Sequence, residues 1–387
     1  MVPGGDDGWA VYYRARTMQA AGAQVTMLAI GEHDRPTPAP ILDAIDRAAR
    51  RGDLLGYAPV PGLPALREAV AAWVAARTGV ATGPDNVLIT AGGQAALFAA
   101  HMLALEPGQT GLYLDPFYAT YPGTVRAAGG RAVAVPTRAD HGFAPEPEAV
   151  AAAARATGAR SLLINTPNNP TGAVYSRQAL DGLARVCLEA DLLLISDEVY
   201  DGQVWDGAHL SPRALPGMAD RVLVAGSMSK SFAMTGSRIG WLVGPEDAIA
   251  ALIKLMTHTT YGLPGYLQAG ALWALTEGGL ALEAEVAAPF ARRRALLAEA
   301  LAATPVLRAP PIAGAMYGFV DVRGTGMSGI SFAEGLLAQE RIAVMPGESF
   351  GAGGAGHIRL SLTADDDVLR AALDRLVAFA ESQAALA

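Results

Sequence analysis

Short apolar runs alternate with longer helical patterns through the middle of this chain, and no other feature limits its fold as strongly. The runs are NVLIT (86–90), GLYLD (111–115), SLLIN (161–165), LLLIS (192–196) and RVLVAG (221–226). Helical patterns lie between them, up to about residue 104 and again near 177–190. Buried strands separated by helices are typical of a parallel sheet with helices on its faces. The sequence therefore predicts an α/β fold with a mostly parallel sheet sandwiched by helices.

A different pattern, helix then strands then helix, begins near residue 285 and predicts a smaller α+β domain. The stretch LTADDDVLRAALDRLVAFAES (362–382) has an apolar periodicity of three and four, with Thr363 and Asp366 spaced as a capping box. With 387 residues, 51% of them hydrophobic, the chain can form two packed domains. We expect an N-terminal segment (1–40) packed with the small domain, a large domain (41–284) and a small C-terminal domain (285–387).

Charge and cysteine content narrow the range of partners and compartments. The formal net charge is -8 and no run of basic residues occurs, so neither nucleic acid nor an anionic membrane is an expected partner. Cys187 is the only cysteine, which excludes an intramolecular disulfide. The first residues, MVPGGDDGWA, carry acids where a signal peptide has basic residues. We therefore expect a cytoplasmic protein that acts on small molecules.

Polar residues follow three of the predicted strands. TPNNPTG, which contains Asn169, follows SLLIN; DEVY, with Asp197 and Tyr200, follows LLLIS; SMSK, which ends at Lys230, follows RVLVAG. Singly, each has an ordinary structural explanation, as a turn or a helix cap. Because active groups of open α/β sheets collect at the carboxyl ends of strands, the three together indicate a site.

Lys230 is the residue that a structural role explains least well. It and Lys254 are the only lysines among 29 basic residues, so this chain otherwise uses arginine. A guanidinium would suffice to pair with a carboxylate or a phosphate. An amine, in contrast, can lose its proton and attack a carbonyl carbon. The sequence therefore favours Lys230 as a Schiff-base lysine.

The segments NTPNNPTG, SDEVY and SMSKSFAMTGSRIGW, in this order and spacing, resemble the signature of the class I pyridoxal-phosphate aminotransferases of fold type I. LAIGEHDRPTPAPI and YAPVPGLPALREAV resemble the family's substrate-approach and tyrosine-containing segments. MPGESFGAGGAGHIRLSL resembles its carboxylate-binding arginine segment. The resemblance extends from about Val25 to Phe379.

This resemblance implies roles for the strand-end residues. Lys230 would hold the cofactor, pyridoxal 5'-phosphate, as an aldimine and would move the α-proton of the substrate. Asp197 would keep the pyridine nitrogen protonated. Tyr200 and Asn169 would donate hydrogen bonds to the ring oxygen of the cofactor, and Tyr118 would stack on the ring.

Two parts of the sequence would hold the phosphate. NVLITAGGQAAL places Gly92, Gly93 and Gln94 between a strand and a helix start, where backbone amides can bind an anion. The resemblance adds Ser227 and Arg238 as phosphate ligands. It also implies that Tyr57 reaches the phosphate of a neighbouring subunit, which makes the protein a homodimer with shared active sites.

The substrate α-carboxylate would pair with Arg359, and Gly31 would allow close backbone approach. Two departures from the family pattern stand out: His33 occupies a position where proline is usual, and Gln94 one where lysine is frequent. We interpret His33 as a packing or hydrogen-bonding residue, since the acid and base roles are already filled. The remaining histidines show no metal-ligand spacing, and no metal is expected.

The expected reaction is ping-pong transfer of an amino group from an L-amino acid to a 2-oxo acid. From 255 to 289 the sequence offers no Lys or Arg for a distal carboxylate, which favours neutral or aromatic side chains. If Arg35, Arg14 or Arg16 supplied a cation for the distal carboxylate, the site would instead accept aspartate as the donor. A carbon–sulfur lyase on the same fold is a further alternative, because these motifs are compatible with more than one reaction after the α-proton has been removed.

Overall fold

The structure, a computed structural model, describes residues 9–386. Its strands are β1 (Thr26–Met27), β2 (Val87–Thr90), β3 (Thr110–Asp115), β4 (Arg131–Pro136), β5 (Ser161–Asn165), β6 (Leu193–Asp197), β7 (Val222–Ser227), β8 (Gly240–Val243), β9 (Tyr317–Asp321), β10 (Ile342–Ala343), β11 (Met345–Pro346) and β12 (His357–Ser361). Its helices are α1 (Ala10–Ala20), α2 (Ala39–Arg51), α3 (Pro64–Thr78), α4 (Gly93–Ala104), α5 (Tyr121–Ala127), α6 (Pro147–Thr157), α7 (Arg177–Glu189), α8 (Met228–Ser231), α9 (Glu246–Thr257), α10 (Gly265–Trp273), α11 (Gly279–Ala302), α12 (Gly329–Glu340) and α13 (Asp366–Ala384).

Seven strands form the central sheet, in the order β2-β8-β7-β6-β5-β3-β4. All neighbours are parallel except β8, which is antiparallel to both β7 and β2. The predicted α/β fold is confirmed, but β4 and β8 were not among the predicted strands. β4 lies at the sheet edge, where three of its six residues are exposed, although AVAVP is a short apolar run like those of the inner strands. β8 is only four residues long and begins with Gly240.

Alternate residues of the central strands enter different cores. Leu162 and Ile164 of β5 pack into one apolar cluster, whereas Leu163 between them packs into the cluster on the opposite face. The first cluster includes residues of α3 and α7, and the second includes residues of α4 and α9. Because both faces are covered, residues 162–164 of β5 are apolar in succession, as the run SLLIN indicated.

The C-terminal elements form a second core around a three-stranded antiparallel sheet, β11-β12-β9. Phe319 of β9 and Phe332 of α12 are fully buried in it, together with Val11 of α1. Thr26 of β1 pairs with Ile342 of β10 in a short parallel ladder, which attaches the N-terminal segment to this part of the chain. Residues 1–8 of the predicted N-terminal segment lie outside the described residues, and α11 spans the predicted boundary at 284. The division into domains stays a prediction.

The predicted capping box of the last helix is wrong. The N-cap of α13 is Asp365, whose side chain accepts a hydrogen bond from the amide of Asp367 at 3.1 Å. Thr363 lies two residues before this N-cap, and its hydroxyl donates to the carbonyl of Ile30 at 3.1 Å and bonds to Ser361. It ties the end of β12 to the N-terminal segment instead. No helix in residues 9–386 is long and apolar enough to cross a membrane.

Candidate active site

A cavity of about 310 Å³ opens at the carboxyl ends of β5, β6 and β7, the three strands whose following residues were singled out in the sequence. All the predicted site residues except Gly92 and Tyr57 line it. The parallel register explains this convergence, because Asn165, the last residue of β5, pairs with Asp197, the last residue of β6. The cavity also borders the C-terminal elements, which contribute Tyr317, Phe350 and Arg359.

Asp197 is a buried carboxylate without a cationic partner among the described residues. Its side chain accepts hydrogen bonds from the hydroxyl of Tyr121 at 2.7 Å and from the amide of Val199 at 3.3 Å. Burial raises the pKa of Asp197 to about 6, although these two bonds oppose the rise. A positively charged group beside Asp197 would remove this penalty. The position is therefore suited to a cationic ring nitrogen.

Lys230 is held at the end of β7 by local capping. Ser227 caps α8 by accepting a hydrogen bond from the amide of Ser229 at 3.1 Å, and Lys230 lies in that single helical turn. The Lys230 ammonium donates to the backbone carbonyl of Gly31. This contact directs the amine into the cavity and links β7 to the N-terminal segment.

His33 supports the lysine from the other side. Its Nε2 lies 3.0 Å from the carbonyl oxygen of Lys230, and its ring packs edge-on against Phe290. Burial, reinforced by the charge of Lys230, lowers the pKa of His33 to about 4. The ring is therefore neutral at neutral pH, and the interpretation of His33 as a packing and hydrogen-bonding residue is confirmed.

Two tyrosines and an asparagine form a buried polar chain above the strand ends. The hydroxyls of Tyr200 and Tyr317 lie 3.0 Å apart, and the Asn169 amide donates to Tyr200 at 3.4 Å. Burial raises the pKa of Tyr200 well above its ordinary value, so this group stays a neutral phenol. Gly31 packs against the same pair: a Cβ there would lie 1.9 Å from the Tyr317 hydroxyl oxygen. Tyr317 therefore leaves no room for a Cβ at this position, and the predicted approach of a substrate to the Gly31 backbone stays a prediction.

Arg359 of β12 is buried at the opposite wall of the cavity. Its Nη1 donates to Asn169 at 3.0 Å, and its Nη2 donates to the carbonyl of Ala29. The guanidinium lies over the rings of Tyr317 and Phe350, 4.5 and 4.6 Å from their centroids. Its Nε is buried and has no hydrogen-bond partner among the described residues. A buried donor without a partner is costly, so this group is suited to an anionic ligand.

The start of α4 and Arg238 meet at another edge of the cavity. Gly92 has φ of 78° and precedes the first turn of α4, whose free amides lie at the positive end of the helix. A Cβ on Gly92 would lie 2.3 Å from Nη2 of Arg238, which explains the glycine and its absence from the cavity wall. Arg238 itself donates to the carbonyls of Thr235 and Ala91 at 2.8 and 3.2 Å. Together with Ser227, these groups can bind an anion.

The three other predicted cofactor residues differ in their placement. Tyr118 lines the cavity, and burial raises the pKa of its phenol. Gln94 also lines it, but its side-chain amide is held by Thr120 and Thr124 at 2.8 and 2.7 Å. Tyr57 is 94% exposed and packs edge-on against Tyr261. Within one chain, therefore, Tyr57 takes no part in the cavity.

The sequence alone did not identify several residues of the site: Asn165, Tyr121, Tyr317, Glu32 and Thr235. Tyr121 is three residues after Tyr118 in DPFYATYP, but α5 begins only at Tyr121, so helical spacing does not relate the two residues. Tyr317 lies at the start of an apolar strand, where an aromatic residue is an ordinary core residue. Nothing in the sequence distinguished its hydroxyl.

A buried ionic cluster lies behind the strand ends, next to the site residues in sequence. Glu198, which follows Asp197, accepts from Ser211 at 2.8 Å and pairs with His209 at 2.9 Å. Asp201, which follows Tyr200, lies 3.4 Å from Arg77 of α3. Arg77 also pairs with Glu283 of α11. The cluster therefore anchors the chain around Asp197 and Tyr200 to two helices.

Removing one member of this cluster should cost stability. In an Arg77→Met protein, the carboxylates of Asp201 and Glu283 lose the cation that they share, and we expect the free energy of unfolding to fall by about 3 kcal/mol. Chemical denaturation measures this change. Arg47→Met, at an exposed position on α2, is the matched control. Equal stability of the two variants would show that the Arg77 ion pairs contribute nothing.

The comparisons with known proteins agree with this architecture. The family model for aminotransferase class I and II matches residues 23–376. Arginine–pyruvate transaminase AruH of Pseudomonas aeruginosa is 41% identical over 372 residues, which cover 96% of this chain and 94% of that protein. Aspartate/prephenate aminotransferase of Thermus thermophilus is 37% identical, and the match covers 95% of this chain and 94% of that protein. The structure of Thermus thermophilus aspartate aminotransferase with maleate superimposes with a TM-score of 0.91 at 35% identity, covering 97% of each chain.

Fold and site together place a lysine, a buried carboxylate and a helix start that can bind an anion at the carboxyl ends of a parallel sheet. The chain belongs to the class I and II aminotransferases, and it is a pyridoxal-phosphate-dependent transaminase that acts on amino acids and 2-oxo acids. The residues present fit this cofactor: Asp197 lacks a cation, the start of α4 presents free amides, and Lys230 faces the cavity. Residues 9–386 hold no group of three His, Cys, Asp or Glu side chains arranged for a metal ion.

Proposed function

We propose that Lys230 binds the cofactor covalently and moves the α-proton of the substrate during ping-pong transamination. The observation that carries this proposal is the convergence of Lys230 and Asp197, from adjacent parallel strands, on one cavity in which Asp197 is buried without a cation. When bound, the protonated pyridine ring supplies an electron sink that acidifies the α-carbon of the substrate. The Asp197 carboxylate maintains that ring protonation.

The other site residues orient the two ligands. Tyr118 would pack on the ring, while Asn169 and Tyr200, already joined by a hydrogen bond, would bind its oxygen. The amides of Gly92, Gly93 and Gln94 at the start of α4, together with Ser227 and Arg238, would bind the phosphate. Arg359 binds the α-carboxylate of the substrate. Support for this last role comes from its buried Nε, which has no partner within residues 9–386.

We further propose that the donor carries a neutral or aromatic side chain in preference to a second carboxylate. The cations that line the cavity within residues 9–386 are Lys230, Arg238 and Arg359, and each already has a proposed role. Gln94 adds no charge where a lysine is frequent in the family. Neither Arg35 nor the α1 arginines, Arg14 and Arg16, line the cavity. One relative is named arginine–pyruvate transaminase. That name supports pyruvate as the acceptor and an amino acid other than aspartate as the donor.

A donor panel tests the proposed function. With pyruvate or 2-oxoglutarate as acceptor, kcat/KM for at least one neutral or aromatic amino acid should exceed that for aspartate, because burying a second carboxylate without a cation is unfavourable. Formation of the 2-oxo acid of each donor is the measurement. If aspartate is better than every other donor by about ten-fold or more, the side-chain proposal fails and Arg35 is the first residue to replace.

We propose a homodimer in which Tyr57 reaches the phosphate site of the partner subunit. Its 94% exposure supports this, since a large aromatic side chain is seldom left so open without a partner. Sedimentation of the cofactor-loaded protein should give a dimer throughout the concentration range in which it is active. An active monomer would refute the shared site. We also propose a cytoplasmic location, supported by the single buried cysteine.

A further inference from the structure

Tyr317 lines the cavity and contacts three groups of the site, but the proposed function assigns it no role. The Arg359 guanidinium carbon lies 4.5 Å from the centroid of its ring, and its hydroxyl lies against the backbone of Gly31. The hydroxyl oxygen is 3.0 Å from that of Tyr200, the one hydrogen-bond partner that residues 9–386 offer to it. The Tyr317 hydroxyl can therefore act on the site through Tyr200.

The orientation of Asn169 limits what the Tyr200 hydroxyl can do. Oδ1 of Asn169 accepts a hydrogen bond from Arg359 at 3.0 Å, so Nδ2 is the atom that faces Tyr200, 3.4 Å away. An amide nitrogen only donates, and the Tyr200 oxygen must accept this bond. The single Tyr200 proton can then go to Tyr317 or into the cavity, but not to both.

A ligand oxygen beside Tyr200 would decide between these two directions. Under the proposed function, that oxygen is the ring oxygen of the cofactor, and an oxygen with negative charge is a stronger acceptor than a neutral phenol. Tyr200 then donates into the cavity, and Tyr317 can use its own proton only by donating to Tyr200. Hydrogen bonds that point the same way along a chain strengthen one another.

Resting on the proposed function, we infer that Tyr317 is a positioning residue whose hydroxyl turns the Tyr200 hydroxyl toward the cofactor and strengthens the hydrogen bond that Tyr200 donates there. Tyr317 acts from the C-terminal elements, on β9, whereas Tyr200 follows β6 of the central sheet. The direction of hydrogen bonding at the ring oxygen thus depends on contact between the two cores.

Tyr317→Phe tests this role, because it removes the hydroxyl and keeps the ring that covers Gly31 and Arg359. A hydrogen bond donated to the ring oxygen disperses its negative charge, so the nitrogen beside that oxygen loses its proton at a lower pH. In the cofactor-loaded variant, the midpoint of the pH-dependent change in cofactor absorbance should therefore lie about 0.5 pH unit or more above the wild-type midpoint, as when one hydrogen bond is weakened.

Two further variants separate this role from a structural one. Tyr113→Phe is the matched control, since Tyr113 of β3 is a buried tyrosine that does not line the cavity; its midpoint should equal that of the wild type. In a Tyr200→Phe protein, addition of Tyr317→Phe should cause no further shift, because Tyr317 acts through the Tyr200 hydroxyl.

A wild-type midpoint in the Tyr317→Phe protein would overturn the inference, as would a full shift that persists when residue 200 is already Phe. In either case, conversion of a donor amino acid to its 2-oxo acid by the wild type would leave the proposed function intact. A cofactor-loaded wild type that converts no donor would refute the proposed function itself.

Discussion

A Lys230→Arg protein should lose transamination turnover by several powers of ten. The guanidinium keeps the positive charge, but it stays protonated and cannot attack the cofactor carbonyl or accept the α-proton. Steady-state turnover with the best donor of the panel measures the loss. Noncovalent retention of cofactor by the variant is compatible with this expectation, since the phosphate and ring contacts remain.

The chain contains its own matched control for this substitution. Lys254, the other lysine, is exposed on α9 and does not line the cavity. Lys254→Arg should keep full turnover. Robust turnover of the Lys230→Arg protein would contradict the role of Lys230, whatever the control shows.

An Asp197→Asn protein should be a poor catalyst and, without cofactor, a more stable protein. Turnover should fall about a hundred-fold or more, because the amide no longer stabilises positive charge on the ring. The raised pKa of Asp197, about 6, means that ionisation of this buried group destabilises the fold. The penalty is absent below the ordinary carboxyl pKa, grows as the pH rises through about 6 and is complete above it. Asparagine avoids it and can still accept the Tyr121 hydrogen bond.

The stability part of this prediction has a definite pH dependence. At pH 8 the cofactor-free Asp197→Asn protein should exceed the wild type in free energy of unfolding by roughly 3 kcal/mol. The difference should shrink toward zero as the pH approaches 4. Chemical denaturation at pH 4 and pH 8 measures both values. A variant that is less stable than the wild type at pH 8, or that retains full turnover, would contradict the assignment of Asp197.

The sequence predicted well those parts of the site that depend on strand order. Asn169, Asp197 and Lys230 each follow an apolar run, and parallel strands bring their carboxyl ends to one edge whatever the detailed packing. Arg359 lies on a strand of a different sheet, nearly two hundred residues from Asn169. The position of Arg359 in the site was predicted from the resemblance to a family, since no local sequence pattern relates it to Asn169.

What the sequence did not predict depends on side-chain contacts over long distances. Tyr317 approaches both Tyr200 and Gly31 from the C-terminal elements, and only the packed structure shows why residue 31 is glycine. Thr363 has the spacing of a helix cap, yet its hydroxyl is used by Ile30. In each case the role of the residue depends on a contact with a residue that is distant in the sequence. A local sequence pattern does not reveal such a contact.

Strand β8 shows the same limit for the fold. β8 reverses direction within an otherwise parallel sheet, and its four residues come directly after the segment that contains Lys230 and Arg238. An apolar run of that length gives no indication of direction. The mostly parallel arrangement of the sheet was predicted, whereas the order of its strands and the reversal at β8 required the structure.

The most direct test of the account is a single half-reaction. Cofactor-loaded protein mixed with a donor amino acid, in the absence of any acceptor, should form one equivalent of 2-oxo acid per subunit and release no ammonia, because the amino group stays on the enzyme. Subsequent addition of pyruvate should yield alanine in the same amount. Continuous formation of 2-oxo acid, with ammonia released in step, would contradict transamination and indicate the lyase reaction.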